Sequence, residues 1–103
     1  IRANDVANIK NVYVNGVMFE GGHHAMLVGG KGYGKDSLPG KINNIHTMNI
    51  MGDGQSLIQI EEPVFDCSFI NGVYRGTGKE IIVYRINKNE AKNIISRNLI
   101  RVQ

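Results

Sequence analysis

The sequence has little of three things: long apolar runs, clustered basic residues and cysteine. No apolar stretch approaches the roughly 18 residues of a membrane-spanning helix, so we expect no membrane span. The first residues lack an initiator Met and the basic-then-apolar order of a signal peptide, and Ile1 is therefore not expected to be the natural start. The 12 Lys and Arg residues are scattered among Asn and Gly, which disfavours nucleic acid as a partner.

The single cysteine, Cys67, excludes an internal disulfide. It lies in the apolar run 64–70, where a free cysteine is typically a small buried hydrophobic residue. With 42% hydrophobic and 20% charged residues, the composition is typical of a folded protein. A chain of 103 residues suffices for one small domain, and we expect residues 1–103 to form a single unit.

Short runs of branched apolar residues recur along the chain, separated by Asn and Gly. The run 42–52 is followed by 57–60, the same order appears in 9–28 and in 64–86, and 92–100 begins a fourth unit. The repeat is roughly 22 residues, with one interval lengthened by a loop, which falls within the range of solenoid proteins.

This repeat predicts an all-β fold, namely a right-handed parallel β-helix of about three to four coils that belongs to a larger solenoid. Asn and Gly would occupy the bends, where they tolerate positive φ. Val28, Ile60 and Val83 are predicted to share one column of a parallel sheet. Residues 87–98 come nearest to a helical apolar stripe, but they suit the repeat better, so helix content should be low.

The same alignment would place Glu62 beside Arg85 as an exposed ion pair, and Glu61 beside Tyr84.

The competing fold is a small antiparallel sandwich, which would also have short strands at this spacing. A short β-helix exposes apolar interior and unpaired strand edges at both ends. We therefore expect further coils, other copies of the chain or partner chains to cover those ends.

Residues 29–35 match the glycine and lysine spacing of a phosphate-binding P-loop. Asp36, however, replaces the hydroxyl residue that would contact magnesium, and residues 37–40 cannot begin the helix that binds phosphate. No nucleotide site is predicted.

The three histidines are not expected to form a metal site, and no cofactor is predicted. His23 and His24 are adjacent, so on a strand they would point to opposite faces, and His46 is expected to be a solvated or hydrogen-bonded surface residue. A pair of carboxylates could in principle supply the acid and base of a glycosidase, although most are expected to be solvated. The candidates are Glu20, Asp53, Glu61, Glu62 and Asp66.

Residues 22–32 resemble the Gly-His-Gly strand of polygalacturonase-type glycoside hydrolases, which have the pectin-lyase-like superfold. The segments 11–19 and 42–60 resemble the neighbouring coils of that family. The resemblance implies that His23 occupies the position of the catalytic-site His, and that Gln59 and Glu61 stand where substrate-binding Arg and Lys would be. The paired catalytic Asp residues have no counterpart before Gly22, so any catalytic acids would belong to coils outside this chain.

The resemblance predicts a polysaccharide as the partner, with Tyr33 on the Gly-rich loop as a candidate for stacking on a sugar ring. Without the basic pair, a neutral or differently charged glycan is favoured over a polyanionic one. Viral tailspikes use similar β-helices against host polysaccharides. The predicted function is therefore binding or cleavage of a surface or extracellular glycan, with an extracellular or virion-surface location. The alternative is a non-enzymatic structural β-solenoid of a virion fibre or surface protein.

Overall fold

The fold is given by a computed structural model that describes residues 1, 8–28 and 41–102. The strands are β1 (Asn8–Phe19), β2 (His24–Val28), β3 (Lys41–Gly52), β4 (Ser56–Ile60), β5 (Val64–Tyr74), β6 (Ile82–Tyr84) and β7 (Ala91–Arg101). The described part of the chain contains no α-helix and a single 3-10 turn, Lys88–Glu90, which confirms the prediction of low helix content. The predicted P-loop-like segment 29–35 and Tyr33 lie outside the described residues.

Long and short strands alternate along the chain and enter two separate parallel sheets. The four long strands form one sheet in the order β1-β3-β5-β7, and the short strands form the other in the order β2-β4-β6. Every strand pairing among the described residues is parallel, so the antiparallel sandwich is wrong and the all-β parallel prediction is confirmed. We call each long strand with its following short strand a layer, so that β7 begins the fourth layer.

The spacing between equivalent residues of successive layers is 33, 22 and 27 residues. The predicted period therefore holds between the second and third layers, and the segment 29–40 lengthens the first interval as expected. The third interval is also longer, because the connection between β5 and β6 and the connection between β6 and β7, which contains the turn Lys88–Glu90, both exceed their counterparts in the second layer. Length differences between layers thus fall in the connections and not in the strands.

Each long strand has four core positions, separated by three, two and three residues. They are Ile9, Val12, Val14 and Val17 in β1; Ile42, Ile45, Thr47 and Ile50 in β3; Val64, Cys67, Phe69 and Gly72 in β5; and Ala91, Ile94, Ser96 and Leu99 in β7. A regular strand would alternate with period two. The longer steps arise because one residue with a left-handed backbone is inserted at each of them.

These left-handed residues occur in pairs five residues apart, one pair in each long strand. The pairs are Asn11 and Gly16, Asn44 and Asn49, Asp66 and Asn71, and Asn93 and Asn98. The non-glycine members have φ between 54° and 62°, a conformation that Asn and Asp tolerate better than other residues with a Cβ. The prediction of Asn and Gly at the bends is correct, but most of the bends lie inside the long strands.

The core lies between the two sheets, and it is most complete in the middle layers. Ile42, Ile45, Leu57, Ile58 and Ile60 are fully buried. Cys67 is 1% exposed, as predicted, and burial raises the pKa of its thiol, whose S–H group donates a hydrogen bond to the Phe65 carbonyl. The core positions of β1 and the apolar ones of β7 are only half-buried because each of these strands has a long-strand neighbour on one side alone.

The predicted column of the short-strand sheet is partly wrong. Val28 pairs with Ile60 as expected, but Ile60 pairs with Tyr84, and Val83 lies one residue out of register beside Gln59. The apolar run 81–83 has no polar alternation to indicate which residue faces the core, and a slip of one residue exchanges the two faces of a strand.

The predicted ion pair is also wrong in its setting. Glu62 is fully buried rather than exposed, at the corner that follows β4. Ile60 pairs with Tyr84 and not, as predicted, with Val83, so Arg85 is the residue directly after this pair. The Arg85 backbone N–H group donates to the Ile60 carbonyl at 2.8 Å.

Glycines allow close contact at the corner between the long and the short strands. A Cβ on Gly78 would lie 1.7 Å from the Gln55 carbonyl oxygen, so a larger residue there requires the backbone to move. The buried Tyr74 hydroxyl holds this corner together. It donates to the Gly54 carbonyl at 2.6 Å and accepts from the Gly78 N–H group at 2.7 Å.

Candidate ligand-binding face

Two of the sequence-predicted site residues, Gln59 and Glu61, are brought together at the end of β4. The Gln59 amide donates to Glu61 Oε1 at 2.6 Å, and Gln59 is only 8% exposed. Little of the Gln59 side chain therefore reaches solvent. Tyr33, the third predicted contact residue, lies outside the described residues.

The predicted catalytic residue His23 is exposed and lies in the bend before β2. Its carbonyl accepts the N–H group of Gln55 at 2.6 Å, and its ring is tilted against that of His24, with 6.1 Å between centroids. His24 is the histidine that interacts with Glu61. Burial and the neighbouring His23 lower the pKa of His24, while Glu61 opposes that shift.

A cluster that the sequence reasoning missed lies on the outer face of the long-strand sheet, by which we mean the side opposite the core. Tyr13, His46 and Ser68 occupy one column in successive layers. The Tyr13 ring is 71% exposed and stacks on the His46 ring, with 5.4 Å between centroids and 23° between planes. The column therefore presents an aromatic surface to solvent.

Hydrogen bonds fix the orientation of the His46 ring. Nε2 lies 2.7 Å from Asn44 Oδ1, and Nδ1 lies 2.6 Å from Ser68 Oγ. The Asn44 amide is oriented by its own donation to Asn11 Oδ1 at 2.8 Å, so its oxygen accepts from Nε2–H. In the neutral ring, Nδ1 then accepts the Ser68 hydroxyl proton. The prediction of a hydrogen-bonded surface histidine is confirmed.

An apolar groove runs across the layers on the same outer face, with a volume of about 470 Å³. One side is an apolar column in continuous register, formed by Met18, Met51, Val73 and Ile100. The other side is a column of amides, formed by Asn49, Asn71 and Asn98. Met18 is 74% exposed and Ile100 48%, so the apolar column is open to solvent.

The amides beside the groove are bonded to one another between layers. Asn49 Nδ2 donates to Asn15 Oδ1 at 2.8 Å, and Asn98 Nδ2 donates to Asn71 Oδ1 at 2.9 Å. Asn15 precedes the left-handed Gly16 and supplies the amide that Gly16 lacks. We call Asn15, Asn49, Asn71 and Asn98 the amide column.

Two carboxylates lie beyond the apolar column of the groove, on the side away from the amides. Glu20 and Asp53 follow β1 and β3 at the same level and, together with Met18, Met51 and Arg75, line a cavity of about 210 Å³. Asp53 accepts the Gly21 N–H group at 2.9 Å. Both residues were among the carboxylates considered from the sequence, which gave no indication that they would be neighbours.

The outer face also carries basic side chains. Lys10 and Lys41 line a small notch at the start of β1 and β3, and Arg97 is exposed on β7. None of the three makes an ion pair with another described residue. Basic side chains and the carboxylates Glu20 and Asp53 are thus both present at the surface of the long strands and their ends.

Comparison with known proteins adds no family or fold assignment. The sequence matches no protein-family model, and neither curated proteins nor solved structures give a significant match. Within the described residues, no group of three His, Cys, Asp or Glu side chains is placed to hold a metal ion. No helix in the described part of the chain is long and apolar enough to cross a membrane.

Proposed function

We propose that the chain is a segment of a right-handed parallel β-helix whose outer groove binds a polysaccharide at an extracellular or virion surface. The observation that carries the proposal is the groove itself, in which an apolar column and an amide column run side by side across the layers. Sugars present apolar C–H faces and hydroxyl edges, so a glycan chain needs both kinds of surface along its length.

The spacing of the layers supports the same proposal. Parallel strands repeat every 4.8 Å or so, a distance similar to the length of one sugar unit in an extended glycan. A glycan lying along the groove would therefore meet one apolar residue in each layer, and one amide in each of the second, third and fourth layers. Tyr13, stacked on His46, offers a further surface for a sugar ring on the same face.

Direct binding measurements test the proposal. Glycan-array screening followed by calorimetry should identify a polysaccharide bound by the 103-residue chain. Met18→Asp, which puts a charge at the open apolar column, should weaken binding about three- to tenfold or more. Met48→Asp is the matched control, because Met48 is exposed on β3 but does not line the groove. If no glycan binds, or if both variants bind alike, the groove is not a glycan site.

The carboxylates beside the groove determine how cleavage would be recognised. Hydrolysis requires two carboxyl groups, one acting as an acid and the other as a base or nucleophile, and Glu20 and Asp53 are the pair beside the groove. We expect the isolated chain to bind without cleaving. Release of reducing ends that is abolished by Glu20→Gln and by Asp53→Asn would instead identify this pair as catalytic.

The second candidate function is a structural β-solenoid of a virion fibre or surface protein. It is favoured by the amides themselves, because the Asn residues at the bends already bond one another and need no ligand. A chain that stays folded and binds no glycan would support it.

A further inference from the structure

We propose that Ser68, His46 and Asn44 form a nucleophilic site that hydrolyses esters of small carboxylic acids. Hydrogen bonds join the three side chains in a row, with 2.6 Å between Ser68 Oγ and His46 Nδ1 and 2.7 Å between His46 Nε2 and Asn44 Oδ1. None of the three lines the apolar groove, so the inference does not depend on glycan binding.

The direction of these hydrogen bonds is the one that activates a serine. A serine hydroxyl becomes a nucleophile when a neighbouring base can take its proton, and a third group is needed to fix the tautomer of that base. The Asn44 oxygen accepts the Nε2–H group of neutral His46, which leaves Nδ1 to accept the Ser68 hydroxyl proton. Ser68 is therefore the nucleophile, His46 the base and Asn44 the positioning residue.

Asp66 keeps the Asn44 oxygen available for His46. In this column of left-handed residues, Asn44 donates its amide to Asn11 in the layer before it, and Asn93 donates its amide to Asp66 in the same way. Asp66 follows Asn44 in the column, but its carboxylate has no N–H group to donate. Asn44 Oδ1 accepts from His46 instead, and an Asn at position 66 would compete for this oxygen.

The surroundings of Ser68 indicate the class of substrate. Ser68 is 7% exposed, and Ile95, which follows it in the column, is 42% exposed. A narrow approach beside an apolar side chain admits a small acyl group and excludes a long one. On the other side of His46 the exposed Tyr13 ring offers a surface for the alcohol part of the ester.

Arg97 is placed to stabilise the negative charge that develops on the ester carbonyl oxygen. It is exposed on the same strand as Ile95, two residues further along, and makes no ion pair with another described residue. A step of one strand across and two residues along separates Cα atoms by about 8 Å, which an Arg side chain can span. Its guanidinium can therefore reach an oxyanion formed beside Ser68.

The reaction has two stages. Ser68 Oγ attacks the carbonyl carbon of the ester while His46 Nδ1 takes the hydroxyl proton. The bond from that carbon to the alcohol oxygen breaks, the alcohol leaves with this proton, and the acyl group remains on Ser68. Water then attacks the acyl carbon and gives a proton to His46 Nδ1. The bond to Ser68 Oγ breaks, Oγ regains the proton, and the carboxylic acid is released.

Covalent labelling of the 103-residue chain tests the nucleophile directly. A fluorophosphonate transfers its phosphonyl group to an activated serine oxygen and releases fluoride, and peptide mass spectrometry locates the label. We expect the label on Ser68, and its loss in His46→Gln, with circular dichroism confirming that this variant is folded. Ser96 is the internal control, because it is exposed but lies beside Phe69 and not beside a histidine. An unlabelled protein, or equal labelling of Ser68 and Ser96, would overturn the proposal.

Hydrolysis of p-nitrophenyl acetate provides a second measurement. Ser68→Ala should lower kcat about a hundredfold, whereas Ser96→Ala should leave it unchanged. Arg97→Gln should lower kcat about tenfold with little change in KM. The longer p-nitrophenyl hexanoate should have a kcat/KM at least about tenfold below that of the acetate. Equal rates in Ser68→Ala and Ser96→Ala would contradict the proposal, and an unchanged kcat in Arg97→Gln would exclude Arg97 from the site.

Asp66→Asn distinguishes positioning of His46 from a purely structural role. Asn tolerates the left-handed backbone and adds an N–H group for Asn44, so the urea midpoint should stay the same or rise. We nevertheless expect kcat for the acetate to fall about three- to tenfold, because Asn44 no longer fixes the His46 tautomer. Glu80→Gln removes one exposed carboxylate elsewhere and should leave kcat unchanged. A natural kcat in Asp66→Asn would show that Asn44 does not position His46.

Discussion

Thr47 occupies a core position at which its neighbours in the sheet are apolar. It is 1% exposed, and its hydroxyl has no hydrogen-bond partner among the described residues. The side chains beside it in the adjacent layers are Val14 and Phe69. A buried hydroxyl that has lost water and gained no partner lowers stability.

Replacing Thr47 by Val should therefore stabilise the protein, because the shape is kept and the unpaired hydroxyl is removed. We expect the free energy of unfolding, measured by urea denaturation, to rise by about 1 kcal/mol. Thr77→Val, in an exposed loop, makes the same chemical change and should alter stability by less than about 0.5 kcal/mol. A loss of stability in Thr47→Val would mean that the hydroxyl has a partner after all.

His24 is the residue that should make stability depend on pH. Burial and the adjacent His23 lower its pKa below the usual 6.5, so the folded protein binds a proton less readily than the unfolded chain. The stability contributed by this difference is complete above the unfolded pKa and is lost as pH falls below it towards the folded pKa.

We therefore expect the melting temperature to fall as the solution is acidified from neutral pH to about pH 5, below the ordinary histidine pKa and above those of most carboxyls. His24→Gln should flatten this part of the profile, whereas His46→Gln, which leaves His24 intact, should not. An unchanged slope in His24→Gln would show that another group is responsible.

At the scale of the strand, the paired left-handed residues are what bends each long element around the core. Asn71 has φ of 60° and is exposed, so its side chain contributes little by burial. Its roles are to adopt this backbone and to accept the amide of Asn98. The two roles can be separated by substitution.

Asn71→Ala should destabilise the protein by about 1–2 kcal/mol, because Ala in the left-handed conformation brings its Cβ close to the carbonyl oxygen. Asn71→Gly loses the same amide bond, but Gly adopts the left-handed conformation without strain, so the loss of stability should be smaller than in Asn71→Ala. Urea denaturation of both variants compares the two. Equal costs would show that the amide bond, and not the backbone conformation, is what matters at this position.

Much of the strand pattern could be predicted from sequence, and the limits have physical causes. The recurrence of branched apolar runs correctly indicated parallel strands in register, as the pairing of Val28 with Ile60 shows. The bends inside the strands were missed because Asn, unlike Gly, also occurs in ordinary strands and loops. The Asn-x4-Asn spacing was the available signal.

The candidate binding face was harder to predict than the strands. The resemblance directed attention to His23 and Gln59, which lie near the short-strand sheet, whereas the groove lies on the long-strand sheet. Tyr13 and His46 are 33 residues apart in sequence and meet only through the pairing of β1 with β3. No local pattern records such a contact, because it depends on the length of the connection between layers.

At the scale of the whole molecule, the groove crosses four layers, and the proposed glycan binding should therefore depend on the length of the glycan. Each layer adds one further contact at intervals of roughly 4.8 Å. We expect the affinity for a bound glycan to increase with oligosaccharide length up to about four sugar units and then to level off. Isothermal titration of an oligosaccharide series measures this dependence. Affinity that is already maximal for a monosaccharide would place binding at a single pocket.

The fixed five-residue distance between left-handed positions has a consequence for how this chain can change. Segments inserted between β2 and β3, or between β6 and β7, leave that distance untouched, so those connections can accept foreign loops of varied size. A single residue inserted between Asp66 and Asn71 would instead turn every following side chain of β5 to the wrong side. Tolerance to insertion should therefore differ sharply between neighbouring stretches of one short sequence.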